Sequence, residues 1–321
     1  MPQQVTPQFP SFPLADGAYE SFYMRAVDPE RPRSVWVRHT VHKSPGEGAV
    51  GSIWATIFDA ERPAPEAFKL SVEGPTSGER WIAIGDSAFG ADGVSGSAGP
   101  ASWDLSWTCA EPGLRHLPKE WMYRTALPRT KLESPLPATS VDGFAQVGDA
   151  RLEPAAWPGM VGHNWGAQHA ERWIWLHGVL FEDRPDVWLD LSIGRVKVGP
   201  LTTPWIAAGV LSVGGRRIRL GGPAHRPSVS EDPLRLDLAV GGKGAKLELA
   251  VRSRPDQTVV WRYADPDGEE HHVANCSIAS LDGIAKVGGE SIRLRSAHGG
   301  AYEIGMRETT HGLTVQPFTD P

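Results

Sequence analysis

Residues 162–178, GHNWGAQHAERWIWLHG, hold three histidines (His163, His169, His177) and three tryptophans (Trp165, Trp173, Trp175). Imidazole exchanges protons near neutral pH or ligates a metal, and indole faces line apolar sites or stabilise a cation. Either ring is costly in a core unless its polar atoms find partners. The crowding therefore has three readings: a metal site, an aromatic ligand pocket, and the polar edge of an ordinary core. A little downstream, VWLDLSI (residues 187–193) adds a carboxylate, Asp190, beside Trp188. Zinc could be held by the three histidines with Asp190 or Glu171, but their spacing matches no short ligand motif. An apolar cup with a few polar groups is the arrangement expected of a small-molecule site.

These residues need strands to position them. In a strand, residues two apart share a face. Trp173, Trp175 and His177 then line one side, and Ile174 and Leu176 the other, which predicts a strand buried on both faces. His163 and Trp165 likewise share a side. Asn164 points the opposite way, where it can tie down polar groups. Residues 187–193 should pair with this strand across EDRPD (residues 182–186). If that loop stands as read, His177 opposes Leu191 and Asp190 faces away from it. With one more loop residue or a bulge, His177 opposes Asp190 directly. A one-residue slip exchanges the faces, and sequence leaves both registers open.

The rest of the chain suits such a scaffold. Its 36 Gly and 28 Pro in 321 residues punctuate it too often for long helices. Period-two runs recur at residues 34–43, 51–59, 67–72, 80–84 and 102–108. In the second half they recur at 208–213, 216–220, 234–240, 246–251, 258–263, 273–279, 291–296 and 301–307. Turns such as Gly214-Gly215 and Asp267-Gly268 sit between them. The fold class is all-β: two antiparallel barrel or sandwich domains in tandem. We place them at residues 1–150 and 151–321, with the boundary between 118 and 160 and both aromatic motifs in the second. The Gly/Ser-rich residues 85–100 read as a flexible loop, and Pro-spaced residues 118–137 as the junction. Residues 118–127 are compatible with a short helix or a strand.

Composition narrows the function. A net charge of −6 with no basic block argues against nucleic acid and leaves any peripheral membrane contact apolar and local. Two cysteines, Cys109 and Cys276, lie far apart, which fits reduced thiols in a cytoplasm better than a disulfide framework. No apolar run is long enough to span a bilayer. The N-terminus lacks a secretory signal and reads as a Pro-rich tail laid over the fold. HExxH, CxxC, GxxxxGK[ST] and GxSxG are all absent, which lowers metalloprotease, redox, nucleotide and serine-hydrolase readings.

GHNWG, followed by WIWLHG and a strand bearing WLD, resembles the bacterial carotenoid 1,2-hydratase (hydroxyneurosporene synthase) and AttH-like group. Tocopherol cyclase and some fungal Diels–Alderases are more distantly similar. The resemblance implies two lipocalin-like β domains and a hydro-lyase or intramolecular lyase/isomerase acting on an apolar isoprenoid or polyketide-like substrate. A non-catalytic carrier of a hydrophobic ligand is the alternative. It further implies that His163 and Trp165 match the group's His-x-Trp pair, and Trp188 and Asp190 its aromatic-x-Asp pair. Gly162 stands where the group commonly has Asp, and Trp188 where it often has Tyr. In this chemistry Asp190, kept neutral by burial, protonates an alkene, and tryptophan faces shield the cation. His163 or His177 orients the acid or a water. No metal or nucleotide cofactor is called for. Trp165, Trp173, Trp175, Trp188, Asn164 and Asn275 complete the candidate binding set. His271 and His272 are expected at the surface, and Trp36, Trp54, Trp103 and Trp107 in the first core or an interdomain cleft.

Overall fold

The computed structural model describes residues 5–13 and 15–319, and these build two sheet systems. The larger, first sheet has twelve strands and the second ten, with a separate small hairpin of Lys197–Val198 and Leu201–Thr202. In the second sheet the Arg216–Gly221 strand also bonds to Arg235–Gly242. That contact closes an eight-strand antiparallel barrel. The architecture is the all-β, lipocalin-like one expected.

Core placement follows side-chain alternation. Ile174, Leu176, Leu189, Leu191 and Ile193 pack with Leu236, Leu247, Leu294 and Ile304 in the second core. The opposite face of the Arg172–Gly178 strand, carrying Trp173, Trp175 and His177, turns toward the first domain. This strand is buried on both faces, as its two uncharged sides require. The first core gathers Phe22, Ile53, Phe89, Trp103 and Trp107. Trp36 and Trp54 instead meet Trp261 of the second sheet, at ring-centroid distances of 6.3 and 5.1 Å.

Several sequence expectations need correction. The Trp157–Gly166 strand, which carries GHNWG, pairs with Ala18–Val27 and Thr130–Val147 in the first sheet. The first sheet therefore runs past residue 150, and GHNWG and WIWLHG sit in different sheets. Residues 85–100 are not a loop, because Ser87–Phe89 and Gly93–Ala98 are strands whose small residues pack closely against neighbours. The supposed junction includes the start of the long Thr130–Val147 strand. Register shifts at Glu133/Leu136 and Leu136/Thr139 accommodate Pro135 and Pro137 there. Glu120–Tyr123 forms a single 3₁₀ turn. Of the N-terminal tail, Met1–Gln4 and Leu14 lie outside the described residues. Val5 and Phe9 are buried, and the backbone N–H groups of Gln8 and Phe9 donate to the Glu20 carboxylate.

One buried cation joins the two domains. Arg25, fully buried on the Ala18–Val27 strand, reaches the second sheet. Its Nη2 donates to the carbonyls of Ser277 (2.8 Å) and Gly299 (3.1 Å), and its Nη1 to His177 Nδ1 (3.0 Å). The ladder between Glu270–Val287 and Glu290–Met306 shifts register at Cys276/Ala279, beside Ser277. His177 Nε2 donates in turn to the Pro137 carbonyl at 3.1 Å. Burial lowers the Arg25 pKa to about 9, so the group is still charged at neutral pH. Burial first, and the Arg25 charge second, push His177 down to about 4, so its imidazole is neutral.

Two outcomes follow. Arg25→Ala strands two buried carbonyls and one imidazole nitrogen, so chemical denaturation should report a loss of ~3 kcal/mol or more. An unchanged midpoint would mean that this contact does not hold the domains. His177 titrates near 6.5 when unfolded but near 4 when folded. Acidification from pH 7 to pH 5 therefore protonates the unfolded chain preferentially, and stability falls by about 2 kcal/mol through this residue. His177→Gln keeps both hydrogen bonds without titrating. Its melts at the two pH values should differ less than the wild type's, and an equal difference would contradict the assignment.

Candidate functional site

Between the two sheets lies a cavity of about 750 Å³. The first domain contributes Tyr19, Tyr23, Trp36, Arg38, Thr130 and Asn164 to its walls. The second contributes Trp173, Trp175, Ser192, Tyr263 and Glu303, and the loop between Leu114–Arg115 and Glu120–Tyr123 contributes His116. Two glycines make room for rings. A Cβ on Gly162 would stand 2.1 Å from Tyr23 Cζ, and one on Gly305 would stand 2.2 Å from the Trp173 ring. Gly162 thus allows Tyr23 to lie across the GHNWG strand, edge-on to Trp175 at 5.3 Å. Burial first, then the negative charges of Asp190 and Glu303, raise the Tyr23 phenol well above its ordinary range. It remains a proton-bearing donor.

The register question resolves in one direction: His177 opposes Asp190 and Trp175 opposes Ser192. Asp190 is fully buried, on the face turned toward the first domain. Its hydrogen bond goes to Ser134, with His116 beside it and His177 across the strand pair. Ser134 Oγ donates to Asp190 Oδ2 at 2.5 Å. His116 Nε2 lies 3.1 Å from Ser134 Oγ and 3.4 Å from Asp190 Oδ2, and His116 Nδ1 donates to the Ala208 carbonyl at 3.1 Å. The same heavy atoms admit two proton placements. In one, a neutral Asp190 donates to Ser134, which donates to the imidazole. In the other, the imidazole carries both protons and Ser134 donates to a carboxylate. Burial pushes Asp190 up, but His116 and the Ser134 hydrogen bond outweigh it and hold the carboxyl below its ordinary value. Asp190 is therefore a carboxylate that accepts the Ser134 hydrogen bond. The neutral acid expected from burial alone is corrected by these polar neighbours, which come from distant parts of the chain. Asp190 itself does not reach the cavity wall, whereas His116 does.

The other candidates are spread over both domains. His163 faces the interior of the first domain, with Nε2 2.7 Å from Glu20 and Nδ1 3.0 Å from Glu133. It stacks on Phe22 and Trp165, at 4.4 and 4.5 Å. Burial disfavours its charge, yet the two carboxylates outweigh burial and raise its pKa. His163 and Trp165 thus face away from the cavity and cannot orient Asp190. His177 is occupied by Arg25 and Pro137. Trp188 shares the outward face of Asp190 and is buried beneath the Arg217 guanidinium. Trp173, Trp175 and Asn164 do line the cavity. Asn275 stands one layer behind, where its Nδ2 donates to Glu303 Oε2 at 3.1 Å. Trp173 Nε1 donates to Glu303 Oε1 at 3.1 Å, so this carboxylate is fixed at the cavity surface. His163, His169 and His177 have separate partners, and among the described residues no group of three potential ligands is arranged to hold a metal.

His116, Ser134, Tyr23 and Glu303 escaped the sequence reading. Only Glu303 carried a visible signal, as a lone carboxylate within the apolar run AYEIGM. His271 was expected in solvent but is buried near Asp265 and His169, because the Glu270–Val287 strand begins before it.

No family model matches the sequence. Two uncharacterized proteins of Mycobacterium tuberculosis, from strains CDC 1551 and H37Rv, are each 25% identical over 308 residues, covering 92% of this chain and 88% of theirs. Among solved structures, CghA with Sch210972 superposes with a TM-score of 0.64 at 11% identity, covering 90% of this chain and 88% of that one. Kievitone hydratase from Nectria haematococca gives 0.56 at 11% identity, covering 94% and 92%. A candidate AttH from Nitrosomonas europaea gives 0.56 at 10%, covering 95% and 97%. At these identities the likeness is one of fold. The chain has the AttH-like, carotenoid-hydratase-type fold that its GHNWG and WIWLHG motifs resemble.

Proposed function

We propose that the protein is a cofactor-independent hydratase, isomerase or cyclase acting on an apolar isoprenoid or polyketide-like substrate in the interdomain cavity. The observation that carries this reading is a proton relay backing an aromatic hollow: His116 on the cavity wall, hydrogen-bonded through Ser134 to the buried Asp190. A hollow of about 750 Å³ is of the size that takes a small apolar ligand. The shared fold of kievitone hydratase supports hydration as one member of this reaction class.

In this reading the proton leaves His116, adds to one alkene carbon, and puts a positive charge on its neighbour. Asp190 remains ionised and stabilises the charged imidazole before transfer. The faces of Trp173 and Trp175 shield the cation. Water adds to it in a hydration, a second alkene in a cyclisation, and loss of an adjacent proton completes an isomerisation. In each case a proton returns to the relay. Glu303, held by Trp173 and Asn275, accepts a hydrogen bond from any hydroxyl on the substrate.

A carrier without catalysis is the second reading. It is favoured by the full occupation of both His116 nitrogens by protein groups, so that transfer requires the ring to leave one of them.

Lipids co-purifying with the protein, identified by mass spectrometry, provide the substrate for the test. On the enzyme reading, Asp190→Asn and His116→Gln each lower turnover by roughly 10²-fold or more while binding persists. Asp190→Asn with full turnover would contradict the mechanism. Ligand recovered unchanged from the wild type would establish the carrier instead.

A further inference from the structure

We propose that the rim of the interdomain cavity is a docking surface for an anionic lipid bilayer, from which the apolar ligand enters. This rests on the cavity being the ligand site, and it adds the source of the ligand.

Two segments flank the cavity. One supplies Pro118, Met122 and Pro128 to its lining, and the other Val196, Pro204 and Ile206. The stretches between these lining residues expose large apolar side chains: Trp121 (58%) and Leu127 (62%) on the first, Val198 (60%) and Leu201 (72%) on the second. Val198 and Leu201 are paired residues of the small two-stranded hairpin, which stands apart from both large sheets. Of the seven large hydrophobic residues that are exposed among those described, five lie on these two segments once Ile206 is included. Isolated exposed apolar residues need no explanation, but a cluster around the entrance to an apolar cavity does.

Charge selects the occupant. The chain carries a net −6, yet residues 191–229 contain no Asp or Glu. From that stretch Lys197 lies on the hairpin and Arg195 just before it, and Arg219 and Arg226 line the cavity. Exposed Lys119, Arg124 and Arg129 flank Trp121 and Leu127 in sequence, and Glu120, the one acid in that segment, is already bridged to Arg115 and Arg124. Apolar tips ringed by cations suit the headgroup region of anionic lipid, where the side chains insert and the cations meet phosphate and carboxylate. An apolar ligand moving directly from lipid to cavity avoids a passage through water, where its solubility is lowest.

The test is flotation of the full chain with phosphatidylcholine vesicles containing about one-fifth phosphatidylserine. The wild type should float with them, less so at high salt. Val198→Asp/Leu201→Asp should reduce the floated fraction roughly tenfold, since each substitution puts a charge where an apolar group would insert. Its thermal melt should be unchanged, because both positions lie on the exposed hairpin. Farnesol quenching of tryptophan fluorescence, measured without vesicles, should persist in this variant. A wild type that stays with the soluble fraction would overturn the proposal, as would a double variant that floats equally well. A vesicle-free dimer abolished by the double substitution would also overturn it, assigning the tips to a second copy of the chain. Flotation without farnesol quenching in the wild type would count against the cavity reading and leave the docking surface standing.

Discussion

A guanidinium with no carboxylate partner among its hydrogen bonds holds the two β domains together. Arg25 leaves the first sheet and donates to two backbone carbonyls and one imidazole of the second. Displacing either sheet would break the three bonds made by the buried Nη1 and Nη2, so this contact resists sliding of one sheet over the other. Fixing that seam also fixes the cavity, because Tyr23 lies two residues before Arg25 on the same face of the same strand. Tyr23 in turn lies over Gly162 and meets Trp175 edge-on.

The seam also sets the chemistry. Asp190 lies on the outer face of the second barrel, and Ser134 of the first sheet donates a hydrogen bond to it. In an apolar wall it would titrate high, but facing Ser134 and His116 it is held ionised. A carboxylate in that position accepts the Ser134 hydrogen bond and lies beside the His116 ring. The likeness to CghA, kievitone hydratase and the AttH structure is one of fold, and the state of Asp190 follows from its surroundings in this chain.

Much of the architecture was legible because period-two alternation with Gly and Pro punctuation encodes half-buried strands directly. The two faces of the Arg172–Gly178 strand were also readable, and its register was narrowed to two alternatives. What sequence could not supply was long-range pairing. The Ala18–Val27 strand shows no clear alternation because nearly all of it is buried, so the partner that captures Trp157–Gly166 went unseen. Asp190's proton state depends on residues 116 and 134, brought to it only by docking of the domains. His163 and Asp190, attractive as a pair in sequence, point into different compartments once their strands join different sheets.

The protonation of Asp190 is where this account is most exposed. Carbon-13 NMR of the aspartate carboxyls, with Asp190→Asn to assign the resonance, follows that single group through an acid titration. A signal that stays ionised below the ordinary aspartate range would agree with a carboxylate backing His116. A carboxyl still protonated at neutral pH would contradict it and return the acid's role to Asp190 itself.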